Sequence, residues 1–192
     1  MRDAIVKAFD ESIRVKRAFL SDNLETLIEV VHAIVAAFKN GNKLMLFGNG
    51  GSAADAQHIA AEFTNRFRIE RPPLPALALT TDTSALTAIG NDYGYSQVFV
   101  KQIQALGKTG DVALAISTSG NSANVLAAVE VCRGLKITTV GLTGGNGGKM
   151  VGEVDYLLCV SASRDTARIQ ETHILIDHVI CELVDAALYP SK

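Results

Sequence analysis

Five short apolar runs, most of them separated by segments of helical period, constrain this chain more than any other feature. They are Lys43–Phe47, Ala76–Leu79, Asp111–Ile116, Ile137–Leu142 and Tyr156–Val160. Within each run the apolar residues are nearly continuous rather than alternating, the pattern of a strand buried on both faces. Helical patterns lie between them at Ser52–Asn65, at Thr83–Ile89 with Ser96–Leu106, and at Ser122–Arg133. A long helix is expected over about Arg164–Leu188. Strands alternating with helices predict an α/β fold in three layers, a five-stranded parallel sheet flanked by helices. Such sheets take ligands beyond the carboxyl ends of their strands, at a topological switch point.

Two further helical patterns precede the first strand. Residues 3–20 space Ile5, Phe9, Ile13 and Leu20 among charges. Residues 23–39 repeat Leu24, Leu27, Ile28, Val31, Ile34, Val35 and Phe38. Asn40-Gly41-Asn42 supplies a helix stop. The expectation is an N-terminal helical hairpin over 1–41 joined to an α/β core over 42–192, all in one domain.

Composition narrows the function classes. The net charge is −2 and no long run of Lys or Arg occurs, so the electrostatic footprint of a nucleic-acid binder is missing and no nucleic-acid partner is expected. The charged N-terminus lacks the apolar core of a signal peptide, and no apolar stretch is long enough to span a bilayer. Cys132, Cys159 and Cys181 are widely spaced in apolar contexts, which fits buried free thiols in a reducing compartment. A cytoplasmic protein without a membrane partner is the expectation.

Two strand-to-helix turns carry the chemistry. Ser117-Thr118-Ser119-Gly120-Asn121-Ser122 places four hydroxyls and a glycine between the third strand and its helix. Free backbone N–H groups and the dipole at a helix start favour an anion, and hydroxyls add donors without charge. Gly48-Asn49-Gly50-Gly51-Ser52-Ala53 follows the first strand, with Ser52 in position to cap the next helix. This stretch also fits G-x-G-x-x-A, but Asp82 lies too far along for the ribose-binding acid of a dinucleotide site. The Lys of a P-loop is missing from the serine-rich turn. Each turn alone is also compatible with plain helix capping. Two at one end of a sheet point to a cradle for the phosphate of a small metabolite.

Other candidates are less decided. His58 and Glu62 lie four apart on one helix face, as a ligand pair or a solvated pair. Gln170 and His178, eight apart, share a face of the last helix. His173 falls on its apolar stripe and reads as a packed histidine, and His32 likewise as structural. Asn91-Asp92-Tyr93-Gly94 is a turn that also suits sugar hydroxyls. Arg66, Arg68 and Arg71 are placed either to reach a phosphate or, the plainer reading, in a solvated loop.

Taken together, G-N-G-G-S-A-A-D-A-Q-H at 48–58, G-N-D-Y-G at 90–94, S-T-S-G-N-S-A-N-V at 117–125 and T-A-R-I-Q-E-T-H-I at 166–174 resemble the phosphoheptose isomerases of the sugar isomerase (SIS) family, over nearly the whole chain. The resemblance implies a single SIS domain over 1–192. It implies an aldose–ketose isomerase that converts sedoheptulose 7-phosphate to D-glycero-D-manno-heptose 7-phosphate, the first step towards the nucleotide-activated heptose of lipopolysaccharide. It implies substrate contacts at Asn49, Gly50, Gly51, Asn91, Asp92, Ser117, Thr118, Ser119 and Ser122, with Ser52 in the same turn. Glu62 and Gln170 would touch substrate and form a Zn2+ site with His58 and His178, one ion per subunit of a homotetramer. Glu62 is the expected base at carbon and His178 the acid–base group at oxygen. Some relatives carry an acid where this chain has Ala167, and Asp165 is two residues off. A non-catalytic SIS protein that binds phosphosugar or regulates replication initiation, and an isomerase of a different ketose, remain alternatives.

Overall fold

The computed structural model describes residues 1–190. The five expected strands form one parallel sheet: β1 (Leu44–Gly48), β2 (Ala76–Ala78), β3 (Val112–Ile116), β4 (Thr138–Gly144) and β5 (Tyr156–Val160), in the order β2-β1-β3-β4-β5. The connecting helices are α2 (Gly51–Thr64), α3 (Thr83–Tyr93), α4 (Val98–Leu106) and α5 (Ala123–Gly134), and α6 (Thr166–Leu188) closes the chain. Single turns of 3-10 helix cover Tyr95–Gln97 and Gly148–Met150.

Alternate residues of the central strands feed two cores, as the pleat requires. Leu44 and Leu46 of β1, with Val112, Leu114 and Ile116 of β3, face α2, α6 and the N-terminal helix. Met45, Phe47, Ala113 and Ala115 face α4 and α5. Both faces are therefore covered, and the three-layer expectation holds.

The N-terminal expectation is corrected. A single helix, α1, runs unbroken over Arg2–Lys39, 38 residues, in place of a hairpin. No Gly or Pro lies between residues 20 and 24 to break it. The buried stripe passes Val15, Phe19, Asn23, Leu27 and Val30, and the polar Asn23 interrupts only the apolar periodicity. Its amide donates to the carbonyls of Phe19 (3.0 Å) and Cys159 (3.3 Å) and accepts from Cys159 N–H (3.2 Å). Asn23 thus covers the open edge of β5 with hydrogen bonds, a protected edge in the usual sense.

At the opposite end of the sheet, Asp111 ties the starts of β1 and β3 together. It is fully buried. Its carboxylate accepts from Lys43 Nζ (2.5 Å), Lys43 N–H (3.0 Å) and Lys108 N–H (2.8 Å). Burial pushes its pKa up, but the Lys43 bonds and charge and the Lys108 N–H outweigh that, and the net shift is downward. Asp111→Asn is expected to cost about 1–3 kcal/mol at neutral pH. Because the folded carboxyl is the stronger acid, its contribution is complete above the ordinary carboxylate range and is lost as pH falls through the depressed value. Urea melts of both proteins from pH 7 into the acid range check this: the gap narrows as pH falls below the ordinary carboxylate range.

Candidate functional site

The order β2-β1-β3 reverses between β1 and β3, and there the two turns of interest begin. Gly48 and Ile116 are register partners, so the 49–51 and 117–122 turns leave the sheet side by side at the switch point. Gly50 caps α2 with φ +58°, and Gly120 sits at φ +65°, where a Cβ would run into the Gly147 carbonyl. Both turns aim helix starts at the same space.

One bridge holds the turns to each other. Asn49 and Asn124 exchange paired amide hydrogen bonds, both 2.9 Å. Tyr95 O–H donates to Asn49 Oδ1 (3.2 Å) and Asn124 Oδ1 also takes Val125 N–H (3.0 Å). Asn124 is 4% exposed. It stands inside S-T-S-G-N-S-A-N but is not among the expected site residues. Ser117 is buried and its hydroxyl pairs with Ser122 Oγ (3.0 Å), while Ser119 Oγ accepts Asn121 N–H (3.2 Å). Thr118 is half-buried and Ser119 exposed. The expectation for Ser52 is corrected: Gly50 occupies the cap position, and Ser52 lies buried in the first turn of α2 beneath Gly48.

The second group converges from α2 and α6. His58 Nε2 and His178 Nε2 are 2.9 Å apart, so one ring donates and the other accepts. Glu62 Oε1 is 3.6 Å from His58 Nε2. Phe67 stacks on the His178 ring at 5.4 Å between centroids. The Gln170 amide lies against Gly51, where a Cβ would overlap it. Gln170 therefore touches the first turn, and His58, Glu62 and His178 form a cluster of their own. Among the described residues no group of three or more His, Cys, Asp and Glu side chains is arranged to hold a metal ion. Chemically, two facing imidazole nitrogens with a carboxylate beside one of them are nonetheless a donor set of the kind zinc takes.

Beneath this cluster lies an acidic layer that periodicity did not disclose. Asp177 is fully buried and neither of its carboxyl oxygens has a partner. Burial, reinforced by the charge of Asp55, pushes its pKa well above the usual range. Burial also raises Asp55, with His58 pulling the other way. The signal that would have found Asp177 is a carboxylate on the core face of α6, between Ile176 and Ile180.

Other expectations fall as follows. Asn91 and Asp92, in the last turn of α3, are exposed and hydrogen-bond each other (2.8 Å). His173 is fully buried, as expected, with Nε2 donating to the Thr143 carbonyl (3.0 Å). His32 is exposed on α1, not packed, because the stripe turns Val31 and Ile34 inward instead. Arg66 and Arg68 are exposed, but Arg71 is buried at 6% exposure and paired with Asp185 (2.8 Å).

Comparison with known proteins gives concordant matches. Residues 9–144 match the SIS domain family. The chain is 50% identical over 189 residues to a phosphoheptose isomerase of Thermodesulfovibrio yellowstonii, covering 98% of this chain and 94% of that one. It is 53% identical over 194 residues to a phosphoheptose isomerase of Aneurinibacillus thermoaerophilus, covering 100% and 98%. Among solved structures it is similar to phosphoheptose isomerase GmhA from Neisseria gonorrhoeae, with a TM-score of 0.90 and 46% identity over 96% of this chain and 98% of that one.

Proposed function

The chain belongs to the phosphoheptose isomerases of the SIS-domain family, and from that membership we propose that it isomerises sedoheptulose 7-phosphate to D-glycero-D-manno-heptose 7-phosphate, in heptose biosynthesis. The observation that carries the reading is the convergence of Glu62, His58 and His178 between α2 and α6, the two helices that also bring Gln170 against the first anion-suited turn. Phosphate binds at the helix starts of α2 and α5, among Gly50, Gly51, Thr118, Ser119 and Ser122. Asn49, Asn91, Asp92 and Gln170 hold sugar hydroxyls. Ser52 and Ser117, buried, support the turns from below.

The reaction moves one proton between adjacent carbons. Glu62 takes the proton from the hydroxymethyl carbon of the ketose. The carbonyl oxygen gains a proton as the neighbouring hydroxyl loses one, and His178 carries that exchange. The enediol then receives the proton at the second carbon, and the aldose leaves. His58, Glu62 and His178 are the residues that would hold zinc, which would supply Lewis-acid polarisation of the carbonyl, and Gln170, seated against Gly51, would have to turn towards them to complete the set. A carboxylate shared with a metal would be a weaker base, so the base role of Glu62 would require one of its oxygens to be free for substrate.

The exposed apolar residues of α1, Ile5, Val6, Phe9, Ile13, Leu20 and Leu24, support assembly into a homotetramer. Among the described residues no helix is long and apolar enough to cross a membrane, and a cytoplasmic location accords with the free cysteines.

The direct test is incubation with sedoheptulose 7-phosphate, with product identified by chromatography, before and after chelator treatment. Turnover of this ketose is expected, with loss on chelation and return on adding zinc. Phosphosugar binding without turnover would favour the non-catalytic reading.

A further inference from the structure

Arg71 belongs to none of the recognised motifs, yet it is the most heavily bonded arginine of the chain. It sits in the segment between α2 and β2. Its guanidinium is turned inward and buried. Nε donates to Asp185 Oδ1 (2.8 Å), Nη2 to the Glu62 carbonyl (2.9 Å), and Nη1 to the carbonyls of Phe63 (2.7 Å), Asn65 (3.2 Å) and Pro72 (3.2 Å). The last carbonyls of a helix lack intrahelical partners, and a cation there also meets the negative end of the dipole. A planar fork of five N–H donors can serve several such carbonyls and a carboxylate together, which an ammonium cannot.

The consequence reaches the reacting pair. Glu62 lies on α2, and His178 and Asp185 lie on α6. The Arg71 bonds to Asn65 and Pro72 close the loop that presents Phe67. That ring lies within 15° of parallel to the His178 imidazole. Arg68 Nη1 pins the same loop to Glu182 Oε1 at 2.7 Å. One side chain therefore fixes the turn of α2 that bears Glu62, anchors it to α6, and seats the aromatic surface behind His178.

We propose that Arg71 is a positioning residue for the isomerisation: its guanidinium, clamped on Asp185, holds Glu62 and His178 in register and keeps Phe67 stacked on the His178 ring. This rests on the reading above in taking Glu62 and His178 as the reacting pair. Proton transfer between fixed groups is steeply dependent on distance, and a displacement of about 1 Å can cost about a hundredfold in rate.

The chain contains no Trp, so Phe67→Trp installs a single fluorophore against His178. Adding Arg71→Lys is expected to shift its emission to the red and to raise its acrylamide quenching constant about twofold, as expected for an aromatic released from a packed surface. Without the reporter, Arg71→Lys is expected to lower kcat about tenfold to a hundredfold and to leave KM within about threefold. A purely structural arginine would lower the melting temperature and leave kcat of the folded protein unchanged. Arg66→Gln, on an exposed pair with Glu70 in the same loop, is expected to keep the parental kcat. Should Arg71→Lys not fold, Asp185→Asn loosens the same clamp and is read the same way. An unchanged kcat, or an emission that does not respond, overturns the proposal. If the parental protein does not isomerise the ketose, the functional reading fails, and the fluorescence still decides whether Arg71 holds Phe67.

Discussion

Glu62→Gln is expected to fold, to bind sugar phosphate, and to lose isomerase activity by about 10²–10⁴-fold. The substitution keeps the shape of the side chain and removes its basicity. It leaves the Glu62 backbone carbonyl, which receives Arg71 Nη2, untouched. The phosphate-binding turns lie at the starts of α2 and α5, whereas Glu62 stands near the far end of α2, so KM is expected to stay near the parental value while kcat falls, as for a group that acts only in the transition state. Exchange gives a second readout. In deuterated water the parental enzyme is expected to wash solvent deuterium into the carbon-bound position, and the variant is not. A parental rate in Glu62→Gln would show that another group takes the proton. The same experiment separates enzyme from binding module, because a protein that merely binds phosphosugar has no activity for this change to remove.

The elements that position the site were legible because burial on both faces of the sheet writes itself into sequence. Most strand cores are nearly continuous apolar runs, β4 with its threonines being the most mixed, and the run Tyr156–Val160 coincides with β5 end to end. The two turns were legible because glycines and hydroxyls cluster where a helix start meets the end of a strand. What escaped notice was mostly polar and buried. Asn23 interrupts a hydrophobic stripe and so looked like a gap between two helices, whereas its amide is bonded to the edge of β5. Arg71 looked solvated because charge normally is, and only the fold brings Asp185 to it from 114 residues away. Asn124 was hidden by its position, in the first turn of a helix just behind the serine-rich cap. Asp55 and Asp177 meet through the packing of α2 on α6, a contact that no local period reports. In each case the partner is remote in sequence, and periodicity carries information about a residue's own element alone.

Acid sensitivity gives the largest expected effect on stability. His173 is enclosed in α6 against the end of β4, with Nε2–H donated to the Thr143 carbonyl and Nδ1 without a partner. Burial disfavours the imidazolium and pushes the pKa down to about 4, against the opposing pull of the Thr143 carbonyl. An unfolded histidine titrates near 6.5. Between these values the unfolded chain binds a proton that the folded chain refuses, so stability falls as pH falls. The contribution is complete above about pH 6.5 and lost by about pH 4, a swing of about 3 kcal/mol. Asp177 works in the opposite sense, because a carboxyl raised by folding gains stability on acidification, but it is the same in wild type and variant and cancels from their difference. His173→Gln keeps an N–H donor for Thr143 and cannot titrate. Urea denaturation of both proteins from pH 7.5 to 4 is the measurement. The wild type is expected to lose stability faster through the window, and the two curves to run parallel above it. Equal slopes from pH 6.5 to 4 would mean that water reaches His173 in the folded state and that its imidazole is charged there.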